Sequence, residues 1–365
     1  YSASVDGQTW VEIGTKVKEV HPFVQFEFVP PPPPAPPVTS VTAKTLVAGD
    51  RHVCNVKSDS TVWCWGRGSS GQLGNKASNQ SETPVQAYGV TDAVAVTAGS
   101  VHSCALTSNG DVWCWGNGVN TPYKVAVDGV TNINAEGNSA CAVRSDGSVW
   151  CWKIGELPAM VAGMDSGWVE VANGYSYNCA IRNDATAWCW GSQSNGALGT
   201  GGTNAASPTQ VVGLPAGGVA MISAGWTHTC AIAKSTGKPY CWGSNNRGQL
   251  GTNSITSSTT AVAVTGIGAV DTIDVGYHYT CATQADGTPY CWGYGENGKL
   301  GLNSTADKLV PTAVSFSAAR TVTIGGAQSC VERSDSTIWC WGRNSSGELG
   351  IGSTSDKRVP TLTLR

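Results

Sequence analysis

The residues of this 365-residue chain with most chemistry open to them are its 14 cysteines, which fall in chain order into seven pairs. They are Cys54/Cys64, Cys104/Cys114, Cys141/Cys151, Cys179/Cys189, Cys230/Cys241, Cys281/Cys291 and Cys330/Cys340, six pairs ten residues apart and one eleven, with none left over. A zinc site wants ligands two to four residues apart within each half-site, and no CxxC occurs anywhere, so no metal is expected. Disulfides fit the pattern, each closing a short loop worth about 2–3 kcal/mol, and place the protein in an oxidising compartment.

Histidine is the other reactive type. His52, His102, His228 and His278 stand just upstream of the first cysteine of their units and are read as equivalent structural positions, not general bases. No GxSxG elbow, HExxH or phosphate-cradling glycine loop is present, so neither catalysis nor a cofactor is expected. Charged residues make up 13% and the net charge is −3, with no basic stripe for nucleic acid. Arg51, Arg67, Arg247 and Arg343 are assigned to solvated loops. No run of 18 apolar residues exists to span a bilayer, and a first residue Tyr1 in place of Met is the mark of a processed or partly observed product.

The elements that must hold these residues are strands. First cysteines recur at intervals of 50, 37, 38, 51, 51 and 49 residues, five long units and two short, which is the mark of a repeat architecture. Ahead of each first cysteine apolar and polar residues alternate (Val94, Val96; Val270, Ile273, Val275), and between the cysteines lies a hairpin tipped with Ser, Asn, Asp or Gly. Pairing Cys104 with Cys114 centres the turn on Asn109 and sets Leu106 opposite Val112, so cysteine faces cysteine across the ladder.

Segments such as HSCALTSNGDVWCWG (residues 102–116) and YCWGSNNRGQLG (240–251) resemble the regulator-of-chromosome-condensation repeat, over residues 44–365. The resemblance implies an all-β, seven-bladed propeller of four-stranded blades. Cysteines stand where the family usually has an aliphatic and a small residue. The second and third units lack the family's Gly-x-Leu-Gly loop, and the third has Lys153 for the final glycine. Loops at 71–74, 196–199, 248–251, 298–301 and 347–350 are expected to crowd one part of the ring. Thr361–Leu364 is expected to close it beside the first strand, within residues 41–49.

Trp63/Trp65, Trp113/Trp115, Trp150/Trp152, Trp188/Trp190 and Trp339/Trp341 flank the second cysteine and so face away from the disulfide, where they fill the space between blades; a sugar-stacking platform is the rival reading. Trp168, Tyr175, Trp226, Tyr277 and Tyr294 fall near turns and are the aromatic candidates for binding. Asn79, Asn303 and Asn344 head N-x-Ser/Thr triplets in polar loops and are candidate N-glycan acceptors.

Ahead of the propeller (41–365), residues 1–29 read as an extended arm or the tail of an upstream β-domain, and 30–40 as a polyproline linker. Phe23, Val24, Phe26 and Phe28 belong to an alternating strand that could insert beside a strand of another subunit. Pro30, Pro31, Pro32, Pro33, Pro34, Pro36 and Pro37 with Thr39, Ser40 and Thr42 form a candidate O-glycosylated stretch. The function expected is that of an extracellular or cell-surface, non-enzymatic protein that self-associates into a fibre, sheath or adhesive assembly. The alternative is a secreted propeller that binds a protein or a glycan.

Overall fold

The computed structural model describes residues 2–5, 9–12, 44–202 and 204–364. The chain divides into two compact units, Tyr1–Pro34 and Ala35–Arg365. In the first, Ser2–Val5 pairs antiparallel with Thr9–Glu12. The proposed arm residues Phe23, Val24, Phe26 and Phe28 and the candidate O-glycan stretch Pro30–Thr42 lie outside the described residues.

The second unit is seven four-stranded antiparallel sheets, each drawn from one uninterrupted piece of sequence. The blades begin with inner strands Leu46–Ala48, Ala93–Ala98, Val130–Glu136, Trp168–Asn173, Val219–Ala224, Thr272–Val275 and Ala319–Ile324. Each then steps outward through three further strands, in the fifth blade His228–Ala233, Pro239–Gly243 and Ser258–Ala263.

The register follows the cysteines: Cys104 opposes Cys114 and Leu106 opposes Val112, while the longer fifth hairpin still sets Cys230 against Cys241. All seven disulfides form within their own blades, joining Cys54 to Cys64, Cys104 to Cys114, Cys141 to Cys151, Cys179 to Cys189, Cys230 to Cys241, Cys281 to Cys291 and Cys330 to Cys340. Their Cα atoms are 4.0–4.2 Å apart, the close spacing of antiparallel residues that do not exchange backbone hydrogen bonds. Thirteen of the fourteen cysteines are buried. Cys151 is only half-buried, because the strand outside it is reduced to Ala159–Met160.

A local motif sets four of the seven hairpins. In the first blade Asp59 accepts from the backbone N–H and hydroxyl of Thr61, and the Thr61 hydroxyl accepts from the Trp63 indole. The same brace recurs as Asp146-Ser148-Trp150, Asp184-Thr186-Trp188 and Asp335-Thr337-Trp339. These hydrogen bonds hold the Asp59, Asp184 and Asp335 carboxyls below the usual carboxylate range. The residue at the tip takes positive φ, as Gly110 (84°) does without strain and Ser60 (62°) and Ser336 (61°) do against their preference.

The apolar core is divided into seven clusters, one per seam between blades. Cys230 and Cys241 pack with Leu250 against Trp292 of the next blade, and Cys330 and Cys340 pack with Leu349 against Trp65, which closes the ring. Strand pleat explains the division: neighbouring residues point to opposite faces, so each blade offers its disulfide to one neighbour and its second tryptophan to the other. Of the paired tryptophans, Trp65, Trp115, Trp152, Trp190 and Trp341 are buried in the seams, as the inter-blade reading expected, and cannot form a sugar platform; Trp63, Trp113, Trp150, Trp188 and Trp339 are only partly buried, and Trp242 and Trp292 fill the same seam position in the fifth and sixth blades.

Closure differs from the expectation. The last strand, Lys357–Leu362, pairs with Ile338–Gly342 of its own blade, and Leu46–Ala48 pairs with His52–Val56. The repeat unit as written already supplies all four strands, so no strand is exchanged at the junction.

Candidate functional site: an aromatic rim at the mouth of the shaft

Two features hold the site in place. The first is a hydrogen-bonded relay across the seams. His228 Nε2 lies 2.8 Å from the Thr280 hydroxyl of the next blade; Thr280 donates to the Gln249 carbonyl in the Gly-x-Leu-Gly loop, and the Trp292 indole donates to that same carbonyl. Equivalent relays run from His52 through Ser103 to Gln72, from Tyr177 through Thr229 to Ala197, and between Tyr279, Ser329 and Lys299. Burial pushes His52 down to about 4 and His102 and His228 to about 3, so all three are neutral near neutrality. His278 is a correction to the sequence register. It stands three residues before Cys281, and Tyr279 takes the strand position; His278 sits in the preceding turn with φ 62°.

The second feature is the shaft. Asp274 accepts from Lys44 Nζ (2.9 Å), Ser223 Oγ (3.0 Å), Thr323 Oγ1 (3.2 Å) and the Ile324 N–H (2.9 Å), tying four blades together. Burial lowers the Lys44 pKa, but Asp274 outweighs it and holds the ammonium above its usual value. Burial raises Glu136 to about 8 and Glu170 to about 7; Glu170 accepts from the Ile222 N–H at 3.4 Å.

At one end of the shaft, the turns between first and second strands place an aromatic residue after a glycine in three successive blades: Tyr175, Trp226 and Tyr277. The Trp226 ring lies 4.7 Å from Tyr175 and 3.8 Å from Tyr277, centroid to centroid. Tyr294 joins from the loop after the third strand of the sixth blade, its hydroxyl donating to Glu296, with the Arg247 guanidinium 4.5 Å from its ring centroid. Lys299 is buried beneath. Its ammonium is 4.4 Å from the Tyr294 ring and 4.8 Å from Tyr279, donates to the Tyr277 carbonyl at 3.2 Å, and is brought down to about 8 by burial. Trp226, Tyr277, Tyr294, Asp50 and Glu136 line a cavity of 320 Å³ at the mouth.

Of the five aromatic candidates, four therefore gather on one face. Trp168 does not: it is buried in the seam between the third and fourth blades, edge-on to Trp188 at 6.2 Å. Asn79 and Asn303 are exposed. Asn344 is not a usable glycan acceptor, because it is fully buried with its amide nitrogen donating to the Ser353 and Ser355 carbonyls. Asn245, at the same place in the fifth blade's loop, makes the matching bonds to Ser254 and Thr256, so the triplet at 344 is a by-product of loop structure. Sequence reasoning missed Lys299 and the partnership of Asp50 with Glu136; the clue to the rim lay in the shared Gly-aromatic step at 174–175, 225–226 and 276–277.

Two models of the Regulator of chromosome condensation (RCC1) repeat match the chain, one at residues 59–106, 184–232, 286–331 and 335–363, the other at 43–72, 93–120 and 219–249, together more than half its length. The chain belongs to the RCC1-repeat family. Comparison with curated proteins finds no match. Among solved structures, yeast RCC1 (Prp20) bound to Kap60 superposes with a TM-score of 0.75 at 19% identity, covering 96% of this chain and 91% of that one. Human WBSCR16 superposes at 0.76 and 17% identity over 84% and 94%. The ectodomain of the Arabidopsis thaliana receptor kinase ACR4 gives 0.56 and 17% over 88% and 99%. At these identities the likeness is one of fold.

Proposed function

We propose that this RCC1-repeat propeller is an extracellular, non-catalytic protein-binding module that docks its partner on the aromatic rim. The gathering of Tyr175, Trp226, Tyr277 and Tyr294 from neighbouring blades onto one face carries the reading. Trp and Tyr supply large, rigid, amphipathic contact area and dominate interface energetics. The seven disulfides and the absence of free cysteines among the described residues fit an oxidising compartment, and receptor-kinase ectodomains use the same fold. Asn79 and Asn303 are the acceptors proposed for glycosylation. Assembly through Phe23, Val24, Phe26 and Phe28 rests on sequence pattern alone, and deletion of residues 1–37 tests it: loss of polymer with an intact propeller supports an arm.

The binding reading is tested by immobilising the propeller, capturing ligands from the medium around its source cells, and measuring the purified ligand against two variants. Tyr175→Ser/Trp226→Ser/Tyr277→Ser should weaken binding at least about 100-fold, by hot-spot magnitudes. Lys234→Ser, in an exposed hairpin on the opposite face, should leave it unchanged. Equal loss in both, or in neither, defeats the proposal.

A further inference from the structure

We infer that the cavity at the mouth of the shaft receives one cationic side chain, a lysine or arginine, of the protein that docks on the rim. This rests on the binding reading above and names the chemistry of its centre. The cavity is lined by both signs of charge, and the decision turns on which charges are already committed. Lys299 is buried, bonded to the Tyr277 carbonyl and capped by tyrosine rings. Glu296 accepts from the Tyr294 hydroxyl. Arg343 donates to Ser345, and it and Arg51 both act on the buried carboxyl of Glu348. Two carboxyls of the lining, Asp50 and Glu136, form no ion pair and no hydrogen bond to another side chain among the described residues; Glu136 takes only a backbone bond from Gly137 and feels the Lys44 ammonium, which is itself paired with Asp274. They line the same cavity as the tilted Trp226 and Tyr277 rings, act on one another, and Asp50 also acts on the Tyr277 hydroxyl.

A pair of carboxyls beside two aromatic faces is complementary to a cation, which the ring quadrupoles attract while the carboxyl oxygens accept its N–H groups. A neutral polar group would gain the hydrogen bonds but not the charge. The cavity, 320 Å³, holds a single extended side chain and not a folded segment. Glu136, held largely protonated near neutrality by its burial and by Asp50 and Asp274 against the opposing pull of the Gly137 N–H and Lys44, gives up its proton as the cation enters, so binding strengthens as pH rises from 6 toward 8.

The test uses the whole chain and three capped tripeptides, Ac-Gly-Arg-Gly-NH₂, Ac-Gly-Lys-Gly-NH₂ and the uncharged citrulline analogue of the first, followed through the Trp226 indole resonance. The arginine and lysine peptides are expected to shift it saturably, with the citrulline peptide at least about tenfold weaker, a step of 1.4 kcal/mol. Asp50→Asn and Glu136→Gln should each weaken the cationic peptides by about fivefold or more, while Lys57→Met, distant from the mouth, should not. Citrulline binding as well as arginine overturns the inference, as does unchanged affinity in both carboxyl variants with their thermal melts intact. A captured partner that needs the rim but is indifferent to Asp50 and Glu136 sinks this inference alone. Saturable peptide binding without any rim-dependent partner sinks only the broader reading.

Discussion

The seam between the fifth and sixth blades and the seam between the second and third are built from the same repeat, yet only the first carries the hydrogen-bonded relay. At the former, His228 Nε2, Thr280, the Gln249 carbonyl and Trp292 satisfy one another, and only His228 Nδ1 is left unpaired. At the latter the second blade has no Gly-x-Leu-Gly loop, Ala140 replaces the hydroxyl, and both ring nitrogens of His102 and the Trp152 indole N–H are buried without a partner. Buried polar groups left unpaired cost about 1–3 kcal/mol each. The aromatic rim stands on the fourth, fifth and sixth blades, where both seams between them carry the relay. The incomplete seam lies elsewhere in the ring. A docking face is best carried by elements whose neighbours cannot shift, and the loop that completes the seam between the sixth and seventh blades also supplies Tyr294 to the rim.

Acid should expose the difference most strongly. The unfolded chain binds a proton at each histidine near pH 6.5, whereas folded His102 and His228 resist until about 3. Their contribution is therefore intact above pH 6.5 and falls by about 3 kcal/mol per residue by pH 4. His102→Leu should flatten that decline with no loss of stability at pH 7, since no hydrogen bond is broken. His228→Leu should flatten it too, but lower the pH 7 stability by about 1 kcal/mol through the lost bond to Thr280. Denaturant titrations between pH 4 and 8 separate the two.

Tryptophan replacement gives the next largest contrast. Trp292→Phe removes a satisfied indole and should cost about 1–3 kcal/mol, while Trp152→Phe also removes an orphaned donor and should come close to neutral. Thermal melts that fall equally would mean Trp152 has a partner. Ala140→Ser should then repair the incomplete seam by giving His102 its hydroxyl, for a gain of about 0.5–1.5 kcal/mol, whereas Thr280→Ala should cost at least as much. The smallest effect lies in the hairpin tips: Ser60→Gly and Ser336→Gly relieve positive φ and should stabilise by about 0.5 kcal/mol, read as a small rise in the melting midpoint.

Much of this architecture could be read before any coordinates. Seven cysteine pairs at constant spacing determine seven hairpins and their register, and residues adjacent to cysteine must face the neighbouring blade. What could not be read is what happens between units. His102 and His228 occupy the same place in their repeats, and only the residue contributed by the next blade, Ala140 or Thr280, makes one an orphan and the other a link. Asn344 satisfies a glycosylation triplet, but its amide is spent inside its own loop. Trp168 falls next to a turn in sequence and under a neighbouring blade in space. Asp50 and Glu136 are 86 positions apart, on the first and third blades, and meet only because the ring closes.

Native-state hydrogen exchange tests the account most directly, because a seam opens with a free energy set by its own bonds. The account predicts that backbone amides of Val130–Glu136 and Val149–Lys153, with the Trp152 indole, exchange at least about tenfold faster than those of Thr272–Val275 and Pro289–Gly293 with the Trp292 indole. Equal protection, or slower exchange around Trp152, would show that the incomplete seam is no weaker and that the ring beneath the rim has no special stiffness.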